Sequence, residues 1–105
     1  MAGSAFLGYF LSGVFLVNGV PHFVKGVTGQ RHMTPFARSS SAPVNVAWGA
    51  TNFALGYALL RRTAVHAAAG EPTPRALAVG LGGLVTAVGL AAFWSDPNAK
   101  LPWHD

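Results

Sequence analysis

Three long stretches of this chain contain no charged residue. They cover residues 2–24, 44–60 and 76–94. As a helix, the first stretch would extend about 34 Å at roughly 1.5 Å per residue, which exceeds the roughly 30 Å hydrocarbon core of a bilayer. Because long apolar runs without charges are typical of transmembrane helices, the chain is predicted to be an integral membrane protein.

The overall composition points the same way. Charged residues make up 10% of the chain and hydrophobic residues 51%, whereas a soluble domain has about 25% charged residues. There is no cysteine, so disulfides and thiolate chemistry are excluded. The formal net charge of +4 lies outside the apolar stretches, which indicates juxtamembrane charge rather than nucleic-acid binding. No Lys or Arg precedes Lys25, so the first stretch is interpreted as a retained anchor rather than a signal peptide.

These stretches predict an all-α fold, an integral membrane bundle of three transmembrane helices at about residues 2–24, 44–69 and 74–95. The chain forms a single domain, 1–105, with a long connecting loop over 25–43 and a polar tail over 96–105. The second helix is expected to start at Ser41 or Ala42, with Pro43 in its first turn. Thr73 is expected to cap the third helix, with Pro74 as its first residue. The second helix is expected to continue beyond the membrane until Gly70 ends it.

A polar pair interrupts the first stretch near its end. Asn18 and His22 are four residues apart and therefore share one face of a helix. Pro21 lies between them and predicts a kink or a helix end, because proline cannot donate to the Val17 carbonyl. Two interpretations remain open at this point: the pair joins neighbouring helices, or it forms part of a ligand site.

The second stretch carries a matching polar face. Asn45, Gly49, Asn52 and Gly56 recur at steps of four, three and four residues, and this face is expected to meet the Asn18–His22 face. The candidate ligand-binding residues are Asn18, His22, Asn45, Trp48 and Asn52. The glycines expected to allow close helix packing are Gly49, Gly56, Gly82 and Gly89.

Several kinds of chemistry are disfavoured. No Asp, Glu, Lys or Arg lies inside the three apolar stretches, which argues against a proton pump or ion exchanger. No HExxH, P-loop or GxSxG motif occurs, and no carboxylate in the spans is placed to orient His22 as a base. The sequence therefore favours a non-enzymatic protein with no metal site and no cofactor. Haem bound through His22 is an alternative, but it would need a second axial histidine from another chain.

The end of the first stretch resembles the DoxX-like group of small bacterial membrane proteins. Their first helix often ends in Gly-x-x-His-Phe, which Gly19, His22 and Phe23 match. The second helix is also similar, from Trp48 to the basic pair at 61–62, so the resemblance covers roughly residues 10–64. It implies a small helical bundle in the bacterial cell membrane, sometimes associated with redox partners. That group usually has four helices, whereas three are predicted here.

Two functions are consistent with these features. The first is an accessory or packing subunit of a larger membrane complex. The alternative is a membrane protein that binds a lipid or a quinone-type small molecule. Expected partners are membrane lipids and either other membrane subunits or further copies of the chain, with no nucleic acid. A multi-pass protein is expected, with its N-terminus in the cytoplasm, since Arg61 and Arg62 form the densest basic pair beside a span.

Overall fold

The computed structural model of this chain describes residues 2–67 and 74–104. Within them, three helices and one β-hairpin follow one another: α1 Ala2–Val27, β1 His32–Thr34, β2 Ala37–Ser40, α2 Ala42–His66 and α3 Arg75–Trp94. The molecule is elongated, with extents of 48 × 24 × 23 Å. The prediction of a mostly helical chain with three helices is confirmed, and the hairpin corrects the prediction that the fold is all-α.

Helix α1 is the central element. It packs against α2 and against α3, whereas α2 and α3 make little contact with each other within the described residues. The polar face of α2 is turned toward α1, since the buried residues of α2 are Asn45, Gly49, Asn52 and Gly56. The two polar faces therefore meet, as their spacing in the sequence predicts.

Glycines set the distance between the helices. A Cβ built on Gly49 would lie 2.7 Å from the Phe23 nitrogen and 2.9 Å from the Gly19 carbonyl oxygen. Similarly, a Cβ on Gly82 would collide with the Phe10 carbonyl of α1. Such approaches allow backbones to pack at distances that larger residues prevent.

The other two glycines singled out in the sequence differ in their surroundings. Gly56 lies against Leu16, whose Cγ would be 2.7 Å from an added Cβ. Gly89 has no atom within 4 Å of such a Cβ among the described residues. Gly89 therefore makes no close helix contact within this part of the chain.

The C-terminal end of α1 differs from expectation. The helix continues through Pro21 to Val27, so it does not end near the proline, and it is longer than the predicted 2–24. Gly29 has a positive φ of 77°, and the amide of Gln30 donates to the Lys25 carbonyl while that of Gly29 donates to Gly26. This is a Schellman motif, so Gly29 ends the helix rather than Pro21.

Helix α2 begins as the sequence indicates. The Ser41 side chain accepts a hydrogen bond from the Val44 amide at 3.4 Å, and a proline lies in the first turn. Its far end comes earlier than the predicted residue 69, because Ala67 already has an extended backbone with ψ of 138°. The expected end of this helix at Gly70 lies outside the described residues.

Helix α3 begins at Arg75. Its N-cap position is occupied by Pro74 rather than by the expected Thr73, and no side-chain bond among the described residues caps it.

The predicted long loop is partly ordered secondary structure. After the last turn of α1, β1 and β2 pair as an antiparallel hairpin, with His32 opposite Ser40 and Thr34 opposite Ala37. Hydroxyl groups of Thr34 and Ser40 lie 2.7 Å apart. The segment thus pairs across the hairpin rather than running as an irregular connection.

The C-terminal tail folds back onto this hairpin. Trp103 Nε1 donates to the Pro35 carbonyl at 2.7 Å, and His104 Nε2 donates to the Thr34 carbonyl at 2.9 Å. His104 Nδ1 in turn accepts from the Leu101 amide at 3.1 Å. The hairpin and the tail therefore lie together at one end of the helices.

Two of the helices are apolar enough to cross a membrane by length and composition. In the described part of the chain these segments are Gly3–Val27 and Arg75–Trp94. Helix α2 is not one of them. Its apolar stretch is less hydrophobic than the other two, since it carries the polar face that α2 turns toward α1.

Replacing Gly49 by Leu is expected to destabilise the fold, because the added side chain would have to displace the α1 backbone. Overpacking of this kind typically costs about 1–3 kcal/mol. Thermal unfolding of the purified protein in detergent should therefore show a lower Tm. Gly89→Leu is the matched control and should leave Tm unchanged or higher, since leucine is a better helix former than glycine. Equal losses at both positions would contradict the close contact at Gly49.

Candidate ligand-binding cavity

A cavity of about 280 Å³ lies at the hairpin end of the helices. Its walls come from α1, α2, α3, the hairpin and the tail. Small-molecule sites are typically mostly apolar with a few convergent polar groups and begin at about 300 Å³, so the cavity suits a small ligand or one part of a larger one. The residues that line it are Asn18, His22, Met33, Thr34, Pro35, Trp48, Leu90, Phe93, Trp94 and Leu101.

The orientation of His22 in the cavity wall is fixed by Asn45. Asn45 is fully buried, and its Nδ2 donates to the carbonyls of His32, Ser40 and Ser41 at 2.9, 3.2 and 3.1 Å. Since carbonyls only accept, the amide nitrogen must face them. The Asn45 oxygen is thereby left to face His22 Nδ1 at 3.0 Å, and Nδ1 must carry the hydrogen.

This bond determines what His22 offers to a ligand. A neutral imidazole has one donor and one acceptor nitrogen, so Nε2 of neutral His22 carries the lone pair. Nε2 has no hydrogen-bond partner among the described residues, and it is not one of their fully enclosed unpaired atoms. His22 therefore supplies a hydrogen-bond acceptor.

A second side-chain pair, Asn18 and Asn52, joins α1 and α2 about one turn of α1 away from the His22–Asn45 pair. Asn52 Nδ2 donates to the Trp48 carbonyl at 2.9 Å, which leaves its oxygen to accept from Asn18 Nδ2 at 3.0 Å. Asn18 consequently retains its own oxygen and one N–H. Within the described residues neither has a protein partner, and Asn18 lines the cavity.

The five candidate residues therefore divide into two groups. Asn18, His22 and Trp48 line the cavity. Asn45 and Asn52 lie behind them, 0% and 1% exposed, and orient the first two through hydrogen bonds. The sequence placed all five on two facing helix surfaces but did not separate lining residues from supporting ones.

The rest of the wall was not anticipated. Phe93 and Trp94 come from the end of α3, Met33 from the hairpin and Leu101 from the tail. Trp94 could be recognised in the sequence only as a residue closing the third span. Nothing in the local sequence indicates that Leu101 returns to the bundle, since the bonds that hold the tail join residues about 70 positions apart.

His32 extends the aromatic surroundings of the cavity. Its ring centroid lies 5.1 Å from that of His22 and 4.4 Å from that of Trp94. Its Nε2 is buried and has no partner among the described residues. Burial lowers the pKa of His32 to about 4, helped by repulsion from His22 and Lys25. His32 is therefore neutral at neutral pH.

No metal centre is evident in residues 2–67 and 74–104, which hold no cluster of three or more His, Cys, Asp or Glu placed for an ion. Haem bound through His22 stays a prediction. It would use the Nε2 lone pair of His22 and still require a second axial ligand.

Comparisons with protein-family models, with curated proteins and with solved structures find no match. The DoxX-like resemblance therefore stays a prediction that rests on the sequence motif. Within the fold, Gly19 packs on Gly49, and Phe23 lies against Phe53 with ring centroids 5.5 Å apart. His22 alone of the three motif residues lines the cavity.

Stability should fall as the pH is lowered from about 6.5 toward 4. Over that window the unfolded chain, in which histidine has its ordinary pKa near 6.5, binds a proton that folded His32 does not, so stability rises with pH. His32→Phe keeps an aromatic ring but cannot titrate, and its Tm should depend less steeply on pH. Thermal unfolding of both proteins between pH 8 and 4 checks this. Parallel curves would contradict the burial of His32.

Asn45→Leu is expected to loosen the hairpin. The substitution removes the bonds to three carbonyls, and each buried polar group left unpaired costs about 1–3 kcal/mol. Limited trypsin digestion followed by mass spectrometry should show faster cleavage after Arg38 in β2 and after Arg31, which precedes β1 and bonds Ser39. Thr51→Leu on the exposed side of α2, where the hydroxyl bonds only its own helix, should be cleaved like the parent protein. Unchanged cleavage in Asn45→Leu would show that other contacts hold the hairpin.

Proposed function

We propose that this chain is an integral membrane protein with three membrane-spanning helices that binds a small amphipathic molecule of lipid or quinone type. The observation that carries the proposal is the cavity, which combines an aromatic and aliphatic wall with two oriented polar side chains, Asn18 and His22. Ligand sites combine apolar walls with a few polar groups in this way.

The exposure of the helices supports a membrane location. Only 28% of the most apolar window of α1 and 17% of that of α3 is buried. The core helix of a soluble protein would bury most of such a window, and large exposed apolar surfaces mark membrane or protein contacts. The most exposed large apolar residues of these two helices are Leu7, Val24, Val27, Leu77, Leu84, Val85 and Val88.

Helix α2 suits a third span despite its lower hydropathy. Its two amide side chains in the relevant stretch, Asn45 and Asn52, are buried against α1 and satisfied there. The exposed Thr51 hydroxyl donates to the Ala47 carbonyl of the same helix. Its outward side carries Val44, Leu55 and Tyr57, all exposed. Polar groups inside a bilayer are placed in this way, facing other helices rather than lipid.

Three spans would place the cavity near one membrane surface. The hairpin, with Arg38 in β2 and Arg31 just before β1, forms the polar end of the bundle. His22 lies little more than one turn from the end of α1. A ligand head would sit beside Asn18 and His22. Its apolar tail would leave through the gap between α2 and α3 into the acyl chains. The proposed cytoplasmic N-terminus, in a bacterial cell membrane, would put this end on the outer side.

The accessory-subunit hypothesis is the second candidate. It is favoured by the scarcity of contact between α2 and α3 in the described residues, because a helix from another subunit or from a further copy would supply the missing packing. The two candidate functions predict different co-purifying molecules, a small ligand or other membrane proteins. Purification from native membranes therefore distinguishes them.

The deciding experiment is gentle purification from native membranes followed by mass spectrometry of bound lipids, quinones and proteins. A stoichiometric lipid or quinone is expected with the parent protein. It should be lost from His22→Phe, which should still fold but with a lower Tm, because the buried Asn45 oxygen loses its donor. His66→Phe, at an exposed position of α2, is the matched control and should retain the ligand. Stoichiometric membrane proteins without a small molecule would favour the accessory subunit. A Soret band in the absorption spectrum would favour haem.

A further inference from the structure

Three backbone carbonyls accept hydrogen bonds from Asn45, and Asn45 in turn fixes which nitrogen of His22 carries the hydrogen. From this arrangement we infer that the site selects a ligand that donates a hydrogen bond from an aromatic hydroxyl, that is, a quinol or phenol in preference to a quinone. This inference rests on the proposed function and adds the chemical class of the ligand head.

The first step is the polarity of His22. The carbonyls of His32, Ser40 and Ser41 orient the Asn45 amide, and the Asn45 oxygen then holds the hydrogen of His22 on Nδ1. Turning the amide over would set its oxygen against three other oxygens. The hairpin therefore fixes Nε2 of neutral His22 as an acceptor. A quinone carbonyl, which can only accept, has nothing to receive from it, whereas a quinol hydroxyl donates to it.

The second step is that Asn18 does not oppose this preference. After its bond to Asn52, it retains one oxygen and one N–H, so it can meet either a hydroxyl or a carbonyl. It lies four residues, or about 6 Å at roughly 1.5 Å per residue, from His22 along α1. Asn18 thus contributes affinity for both forms of a ligand, and His22 distinguishes them.

The third step is the shape of the surrounding wall. Trp48 meets the His22 ring edge-on with centroids 6.5 Å apart, and Phe93 and Trp94 line the same space. Aromatic rings stack on or pack edge-to-face with one another. A flat ring bearing the hydroxyl therefore suits this wall better than a flexible aliphatic alcohol.

Selection of the reduced form has an energetic consequence for a bound quinone couple. If the quinol binds more tightly than the quinone, reduction of the bound molecule becomes more favourable. For a two-electron couple, each tenfold preference raises the reduction potential by about 30 mV. The protein itself supplies no electron in this proposal; it holds one form of the couple.

The test is anaerobic equilibrium binding to the purified detergent-solubilised protein. The probes are decyl-benzoquinol, decyl-benzoquinone, the dimethyl ether of the quinol, and 4-decylphenol. The quinol is expected to bind about tenfold more tightly than the quinone and than the ether, as one unpaired hydrogen bond would cause. A quinone or ether that binds as tightly as the quinol would overturn the inference, and this comparison needs no variant.

Variants assign the preference to His22. In His22→Phe the ratio of quinol to quinone affinity should fall to about one, while His66→Phe should keep the parent ratio. His22→Gln, which offers both a donor and an acceptor, provides a second polar variant and should also lose most of the preference. A ratio that survives in both His22 variants would overturn the role of His22.

The remaining outcomes separate this inference from the proposed function. Equal binding of quinol and quinone would remove the selectivity and leave a quinone-type site standing. Binding of no probe above the detergent control would remove both. If 4-decylphenol binds as tightly as the quinol, a single aromatic hydroxyl suffices and the ligand class is phenolic; weaker binding of the phenol assigns the quinol.

Discussion

The buried amide of Asn45 is the interaction on which the rest of this structure depends. One side chain joins three elements: it accepts from His22 on α1, donates to the hairpin at His32 and Ser40, and donates to Ser41 at the start of its own helix. Inside an apolar bundle these bonds have no competition from water, and a missing partner is costly. The position of the hairpin, the orientation of His22 and the cavity between them are thus set together.

How much of this structure can be predicted from the sequence depends on how far apart the interacting residues lie along the chain. The facing of Asn18 and His22 toward Asn45 and Asn52 follows from spacings of four and seven residues, because helix geometry repeats locally. The hairpin does not follow, since its short strands are polar and pair through Thr34 and Ser40 rather than through an alternating apolar pattern. The tail is least predictable, because its bonds to the hairpin span about 70 residues.

Glycine placement explains how such a polar centre is accommodated. Gly19 and Gly49 bring the backbones of α1 and α2 close enough for short amide and imidazole side chains to reach across. Gly82 does the same between α1 and α3. Because α2 and α3 hardly touch, the close approach to α1 on both sides leaves a gap above Asn18 and His22, and the aromatic residues at the end of α3 make one wall of it. The same packing that ties the helices together thus creates the cavity.

Incomplete hydrogen bonding distinguishes a binding site from simple helix joining. If Asn18 and His22 served only to join α1 and α2, their remaining polar atoms would be expected to find partners in the protein, because unpaired polar groups are costly in an apolar setting. Each instead uses one group on α2 and, within the described residues, leaves its other atoms unpaired on side chains that line the cavity. Backbone carbonyls fix the direction of both bonds. A molecule that completed those bonds would lower the free energy of the folded bundle, so the proposed ligand binding would be coupled to helix packing.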